Sequence, residues 1–167
     1  RASSHGSPMS NTTKSVQESH APKSICFGCG PANGKGLRIR SFPDPDGNGL
    51  VCEWKPEPHH EAFPGMLSGG IVGTLLDCHS NWTAAMHLKE ARGQDEPPCT
   101  VTADFHVRLL RPTPSGVGVS MKSEILDAEG DKVRVRATLT AGGKDTATCE
   151  GTFVAVREGH PAYHRWQ

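Results

Sequence analysis

The feature that most constrains the fold is one long helical pattern that is followed by a series of strand patterns. The predicted helix runs from Ser68, a plausible N-cap, to about Ala91, and Gly93 is a fitting stop. Five apolar residues recur at helical spacing and form one stripe: Ile71, Leu75, Cys78, Trp82 and Ala85. Because such a stripe must be buried against another element, we expect a sheet to cover it.

Alternating apolar residues predict strands on both sides of this helix. Two lie before it, at residues 37–42 and 50–55, around a turn at residues 44–49. The first strand after the helix has five apolar residues at period two: Val101, Ala103, Phe105, Val107 and Leu109. Three more strands follow at residues 117–126, 132–140 and 146–156. The short turns between them predict an antiparallel meander, so the fold class is α+β, with a sheet of about five to six strands.

Length and charge limit the function classes. The 167 residues suit one domain, predicted at residues 24–158, between a disordered tail at 1–23 and a short tail at 159–167. The Ser-Ser-His-Gly-Ser stretch near the start is typical of an expression tag. The 18 basic and 18 acidic residues balance, which argues against a nucleic-acid partner. The sequence contains no apolar run of the roughly 18 residues that a membrane span needs and no leader pattern, so we expect a cytoplasmic protein.

The six cysteines predict reduced, buried thiols, because no secretory signal supports disulfides. Cys26-x-x-Cys29 also invites a zinc or redox interpretation. A structural zinc needs about four ligands, and the chain has no second cysteine pair at ribbon spacing. We therefore expect two thiols that hold a turn, and neither a metal nor another cofactor.

The segment Pro64–Asp77 carries the most informative motif. Gly69 and Gly70 open the helix, and Asp77 follows eight residues after Gly69. The segment resembles the hotdog acyl-CoA thioesterases that include the phenylacetate-degradation (PaaI-like) type, in which His-Gly-Gly opens the helix and an acid follows at this distance. Three other pieces resemble the same family in the same order: residues 26–37, 101–104 and 107–112.

The resemblance implies a hotdog fold, in which a curved sheet wraps a central helix. It also implies an acyl-CoA substrate and a homodimer, often doubled to a homotetramer, with the sites at the dimer seam. The sequence departs from the family twice. Ser68 replaces the motif histidine, and Ala62 stands where relatives often have Asn or Gln to hold the thioester carbonyl. His60 or Glu61 would have to compensate by a shift of the loop.

The chemistry of the motif can be argued from the residues themselves. The first N–H groups of a helix have no partner within it and lie at the positive end of its dipole, and glycines leave them uncovered. Gly69 is therefore predicted to polarise a thioester carbonyl. Asp77 lies on the polar face of the helix with Gly70, Thr74, Asn81 and Leu88, and we expect it to act as general base or nucleophile. Asn81, one turn later, would orient the water.

Other substrate contacts follow from the resemblance or from position. Thr102 matches a family position at which a hydroxyl residue helps to place the water. Arg108 and Arg111 are the expected contacts of the coenzyme A phosphates. Ser68 and Gly70 would border the substrate at the helix start, and Phe63 would line the acyl tunnel.

Each of these residues also has a purely structural interpretation. Asp77 could be a surface carboxylate, and the glycine pair could simply allow the helix to pack closely on the sheet. Thr102 could be an ordinary strand residue, and the two arginines could be solvated. At the level of function, the alternative is a hotdog module that binds acyl thioesters, or serves as an assembly subunit, without turnover. A dehydratase on the same fold is a third possibility, although such sites usually pair an acid with the histidine that is missing here.

Overall fold

The computed structural model describes residues 13–167, so most of the predicted N-terminal tail, residues 1–12, lies outside it. The helices are α1 (Val16–His20) and α2 (Gly69–Arg92), and a 3-10 turn covers Pro58–His60. The strands are β1 (Ser41–Pro43), β2 (Leu50–Trp54), β3 (Glu61–Phe63), β4 (Met66–Leu67), β5 (Thr100–Leu109), β6 (Val119–Glu129), β7 (Lys132–Ala141) and β8 (Lys144–Ala155). Among these residues, no helix combines the length and the apolar character that crossing a membrane requires.

Six of the strands form one antiparallel sheet in the order β1-β2-β6-β7-β8-β5, and β3 pairs with β4 as a separate hairpin. Helix α2 packs across β5, β6, β7 and β8. In β7 buried and exposed residues alternate, so one face of the sheet lies on the helix. The predicted α+β class and the hotdog arrangement, one long helix against an antiparallel sheet, are confirmed.

Helix α2 matches the predicted bounds to within one residue, and Gly93 ends it in the left-handed conformation with φ of 60°. The prediction of a polar face was only partly correct. Gly70 is exposed and Asp77 is half-buried, but Asn81 and Leu88 are buried. The reason is that the curved sheet and the chain ends cover the second half of the helix on several sides.

Strand β5 differs from the predicted alternation because it contains a β-bulge. Thr102 pairs with Phe153 and Asp104 with Thr152, so Ala103 is an extra residue on β5. Cross-strand partners share a face of the sheet. Thr102 therefore faces α2 together with the buried Phe153, and Val101, which the period-two pattern placed on the inner face, lies on the outer one.

The first predicted strand, residues 37–42, is shorter in the structure. Only Ser41–Pro43 pairs with β2. The preceding residues bind the turn around the Cys-x-x-Cys motif instead, because Leu37 N–H donates to the Phe27 carbonyl and Ile39 N–H to the Gly28 carbonyl. Arg38 between them has a φ of 52°, which a regular strand does not allow.

Both chain ends contribute to the core, in contrast to the predicted tails. Helix α1 buries Val16 and Gln17, and the Gln17 side chain bonds both to the Ser41 hydroxyl and to its backbone N–H. At the other end Trp166 is only 5% exposed and stacks on Trp82 at 4.1 Å between ring centroids. Burial of these side chains explains why residues 13–23 and 159–167 pack on the domain although their sequence shows no period.

Candidate active site

Asp77 and Thr102, which the sequence singled out separately, meet in the structure. The Thr102 hydroxyl donates to Asp77 Oδ1 at 2.6 Å, joining helix α2 to strand β5. Both side chains are half-buried. Burial raises the pKa of the Asp77 carboxyl, and the Thr102 hydrogen bond opposes that shift. The carboxylate is thus held in one orientation at the edge of the core.

The bulge in β5 changes which residues face helix α2 beyond this contact. Without the extra residue Ala103, the inward face that starts at Thr100 and Thr102 would continue through the even-numbered residues. With it, the inner face changes to Phe105 and Leu109. The bulge therefore combines a polar partner for Asp77 with an apolar surface a few residues further along the same strand.

The start of α2 is open. Ser68 occupies the N-cap position as predicted, but its side chain makes no capping hydrogen bond, and the first turn has no acidic residue. Gly69 and Gly70 are both exposed. A Cβ atom on Gly69 would lie 3.3 Å from Leu109 Cδ1, so the glycine keeps space between the helix start and β5. The first N–H groups of the helix remain available to an acceptor that approaches here.

Asn81 lies one turn after Asp77 and is buried. Its Nδ2 donates to the Thr100 carbonyl at 3.3 Å, whereas its Oδ1 has no hydrogen-bond partner among the described residues. The Arg165 guanidinium donates to the same Thr100 carbonyl at 2.6 Å, and its charge opposes the rise that burial causes in the pKa of Asp77. Buried acceptors such as Asn81 Oδ1 are commonly satisfied by an ordered water.

Strand β5 exposes apolar side chains on the face that carries Thr102. Phe105 is 43% and Leu109 is 59% exposed, and Leu109 approaches Gly69. β5 is also an edge strand of the sheet. An exposed apolar edge strand of this length is normally covered by another chain or a ligand.

His60 and Glu61 were expected to take the place of the Asn or Gln side chain that relatives often have at position 62. Both residues make other hydrogen bonds in the structure. His60 is buried, and its Nδ1 accepts a hydrogen bond from the Glu57 N–H at 3.0 Å. Burial, with the neighbouring His59, lowers the pKa of His60. Glu61 accepts hydrogen bonds from the Gly65 N–H and from the Ser115 hydroxyl. Both residues therefore stabilise the loop and the β3–β4 hairpin, on which Phe63 is exposed.

The two predicted phosphate contacts are not beside Asp77 in this chain. Arg108 pairs with Thr148. The pairs on either side of it contain the buried residues Cys149 and Ala147, which face inward, so Arg108 lies on the outer face of the sheet. It borders a surface cleft with His106, Arg136 and Glu150. Arg111 is exposed in the segment after β5. The structure therefore separates these cations from the carboxylate by the thickness of the sheet or by the length of β5.

Cys78 brings a third thiol to the Cys-x-x-Cys motif, which was not predicted from the sequence. The sulfur atoms of Cys26, Cys29 and Cys78 all lie within 4.8 Å of one another, and all three are free thiols. Cys78 was assigned to the apolar stripe of the helix. Cys78 directly follows Asp77, and the resemblance to the same family includes residues 26–37. These two facts were the signal in the sequence that the two segments belong to one site.

His79 is sealed in the core rather than placed in the site. Its Nε2 bonds to the Leu50 carbonyl at 3.0 Å, so this nitrogen carries the proton, and its Nδ1 accepts from the Ser41 hydroxyl at 2.8 Å. Burial lowers the pKa of His79 to about 4. The ring is therefore a neutral histidine with both nitrogens satisfied.

No family model matches the sequence of the chain. Two curated proteins named acyl-coenzyme A thioesterase THEM4 are similar. The Bos taurus protein is 24% identical over 144 residues, which are 86% of this chain and 56% of that protein. The Xenopus laevis protein is 24% identical over 125 residues, 75% of this chain and 52% of that protein. The chain thus spans about half the length of the curated relatives that it matches.

Solved structures give a similar result. A thioesterase superfamily protein from Shewanella loihica is 28% identical with a TM-score of 0.61, and the match covers 76% of this chain and 98% of that one. The E. coli PaaI protein is 13% identical with a TM-score of 0.61, covering 72% and 81%. A Thermus thermophilus thioesterase solved with coenzyme A and Zn is 18% identical with a TM-score of 0.52, covering 68% and 83%. The last two likenesses concern the fold alone.

Proposed function

Because the chain is a hotdog-fold relative of the thioesterase superfamily, we propose that it hydrolyses acyl-CoA thioesters to a free acid and coenzyme A. The observation that carries the proposal is the half-buried Asp77 carboxylate, which Thr102 holds at 2.6 Å one helical turn before the buried Asn81. Thioester hydrolysis needs a carboxylate that activates a water or attacks the carbonyl carbon itself.

In the proposed reaction the Gly69 N–H donates to the thioester carbonyl oxygen and stabilises the negative charge that develops on it. Asp77 accepts a proton from a water held by Asn81 and Thr102, and the water oxygen bonds to the carbonyl carbon. The carbon–sulfur bond then breaks, and the departing thiolate takes the proton from Asp77. The alternative is direct attack of Asp77 on the carbonyl carbon, which breaks the carbon–sulfur bond and releases the coenzyme A thiolate, followed by hydrolysis of the resulting anhydride by water.

Two copies of the chain are needed to assemble this site. Gly69 and Asp77 are eight residues apart on one helix, which is about 12 Å along its axis. This distance is too long for one carbonyl group to contact both residues of the same chain. We therefore propose a homodimer in which Gly69 of one copy faces Asp77 of the other, and the exposed edge strand β5 is the surface that pairs. A dimer of dimers is compatible with this arrangement.

The remaining predicted residues have places in this proposal. Ser68 and Gly70 border the carbonyl at the open helix start, and Phe63 lies on the hairpin that precedes it. Arg108 and Arg111 would bind coenzyme A phosphates from outside the cleft. The hydrolysis uses no cofactor, because coenzyme A is part of the substrate. We propose a cytoplasmic location, in which thiols stay reduced.

Replacement of Asp77 tests the function. Asp77→Asn keeps the size of the side chain and removes the proton acceptor, so we expect turnover of acyl-CoA and aryl-CoA esters to fall by about 10²–10⁴-fold. Released thiol is the measurement. The matched control is Asp127→Asn, which changes an exposed carboxylate on β6 and should leave the rate unchanged. A folded Asp77→Asn protein with the rate of the unchanged chain would refute the role of Asp77.

A second candidate is a module that binds acyl thioesters without turnover. It is favoured by Ser68 and Ala62, and by the engagement of His60 and Glu61 in the hairpin. It predicts binding of a coenzyme A ester, measured by calorimetry, with no thiol release over the same substrate panel. A dehydratase is not favoured, since the helix histidine nearest to Asp77, His79, is neutral and sealed.

A further inference from the structure

The three clustered thiols have the spacing of a metal site. Cys26 Sγ lies 3.8 Å from Cys78 Sγ, and all three sulfur atoms fall within 4.8 Å of one another. Two thiolates bound to one tetrahedral Zn²⁺ at about 2.3 Å each are about 3.8 Å apart. A disulfide would instead need its sulfur atoms at about 2.05 Å. The cluster is therefore arranged around a common centre rather than as a bonded pair.

A hydrogen-bond donor lies against the cluster. The Trp82 indole N–H donates to Cys29 Sγ at 3.3 Å. Such donors are among the usual surroundings of sulfur ligands in metal sites. Trp82 therefore orients the Cys29 sulfur within the cluster.

The backbone holds this arrangement tightly. A Cβ atom on Gly28 would lie 2.3 Å from Cys78 Sγ and 2.9 Å from Thr74 Cγ2. A Cβ atom on Gly30 would lie 2.4 Å from the Ser24 carbonyl oxygen. Only glycines allow the Cys-x-x-Cys turn to fold this closely on helix α2. The three ligand atoms are thus brought together before any ion binds.

We propose that Cys26, Cys29 and Cys78 bind one Zn²⁺ ion as thiolates, with the fourth position open to water or another ligand. Each thiol gives its proton to solvent on binding, and the ion offsets two of the three negative charges. The ion fastens the turn to helix α2 at the residue that follows Asp77, so its role is to position the helix. This replaces the expectation from the sequence, which counted only the two ligands of the Cys-x-x-Cys pair.

Metal content tests the proposal independently of thioesterase activity. The full chain, purified with a reductant, is stripped with a chelator and titrated with Zn²⁺. We expect one Zn²⁺ per chain by mass spectrometry of the elements. Co²⁺ in its place should give the sulfur-to-metal charge-transfer absorption of a thiolate site. Cys78→Ser should weaken binding by at least about 100-fold.

Two further variants keep the test decisive. Cys26→Ser removes a half-buried ligand from the turn and leaves the helix intact, so it serves if Cys78→Ser does not fold. Cys52→Ala removes a buried thiol outside the cluster, on β2, and should bind Zn²⁺ like the unchanged chain. Absence of binding, equal loss in the Cys52 variant, or a Cys26–Cys78 disulfide in the reduced, metal-free preparation would overturn the proposal.

Discussion

Gly69 combines two properties that no other residue type offers at the start of α2. It is the first helical residue, so its N–H lacks an intrahelical partner, and it leaves the space next to Leu109 free. The preceding Ser68 has an extended conformation, with φ of −60° and ψ of 133°, and its side chain does not cap the helix. The role of this N–H can therefore be separated from the role of the space around it.

Gly69→Pro removes the N–H. Helices accept proline in their first position, and the extended conformation of Ser68 is the one that a residue before proline adopts. We predict a loss of about 10²–10³-fold in kcat, the usual effect of removing one such donor. Gly69→Ala is the matched control, since it adds a methyl group but keeps the N–H. A Pro variant that is folded and as active as the Ala variant would exclude the amide from the reaction.

At the residue scale, the sequence singled out Asp77 and Thr102, which meet in the structure, but not the contacts of the loop before helix α2. Asp77, Gly69 and Thr102 follow from spacing and resemblance, because the register of one helix and one strand fixes where they lie. The engagement of His60 and Glu61 in hairpin hydrogen bonds depends on how a short loop folds, and the sequence carries no period from which that could be read. Cys78 was missed because a thiol on an apolar stripe looks like an ordinary core residue.

At the element scale, a buried network joins α1, β1 and α2. The Gln17 amide donates to the Ser41 hydroxyl, which donates to His79 Nδ1. His79 Nε2 in turn donates to the Leu50 carbonyl of β2. Such a network fixes α2 along its axis relative to the start of the sheet, because each polar group has its partner on another element.

Ser41→Ala should break this network. Both His79 Nδ1 and the Gln17 amide would lose a buried partner, and we predict a loss of about 1–3 kcal/mol in the free energy of unfolding. Urea denaturation followed by circular dichroism is the measurement. Ser120→Ala, on the exposed side of β6, should change stability by less than about 0.5 kcal/mol. Equal midpoints for the two variants would show that the network contributes nothing.

The elements themselves were largely predictable, because long periodic segments have a strong signal. Helix α2 and the meander β6–β8 match the predicted residues closely. The bulge at Ala103 was not predictable, since the run from Val101 to Leu109 alternates perfectly as a sequence. It lets Thr102 face the Asp77 carboxylate while Phe105 and Leu109, further along the strand, also lie on the inner face.

At the scale of the whole molecule, the proposed site needs two copies of the chain. The sheet ends at β5, whose apolar residues Phe105 and Leu109 face solvent in the single chain. Charge on this surface should oppose pairing of two copies. Leu109→Asp is predicted to shift the chain from dimer to monomer by sedimentation velocity and to lower thioester turnover together with it. Lys132→Asp, an exposed change on β7, is the control. A Leu109→Asp protein that is monomeric but fully active would contradict a shared site.

Complementation between two inactive chains tests most directly whether Gly69 of one copy and Asp77 of the other form one site. Gly69→Pro keeps Asp77, and Asp77→Asn keeps the Gly69 amide, so a mixed dimer has one site with both groups if the two chains share each site. After the chains are mixed, unfolded and refolded together, we expect up to about a quarter of the activity of the unchanged protein. Half of the dimers are then mixed, and each mixed dimer has one intact site of its two. A mixture no more active than either variant alone would contradict it.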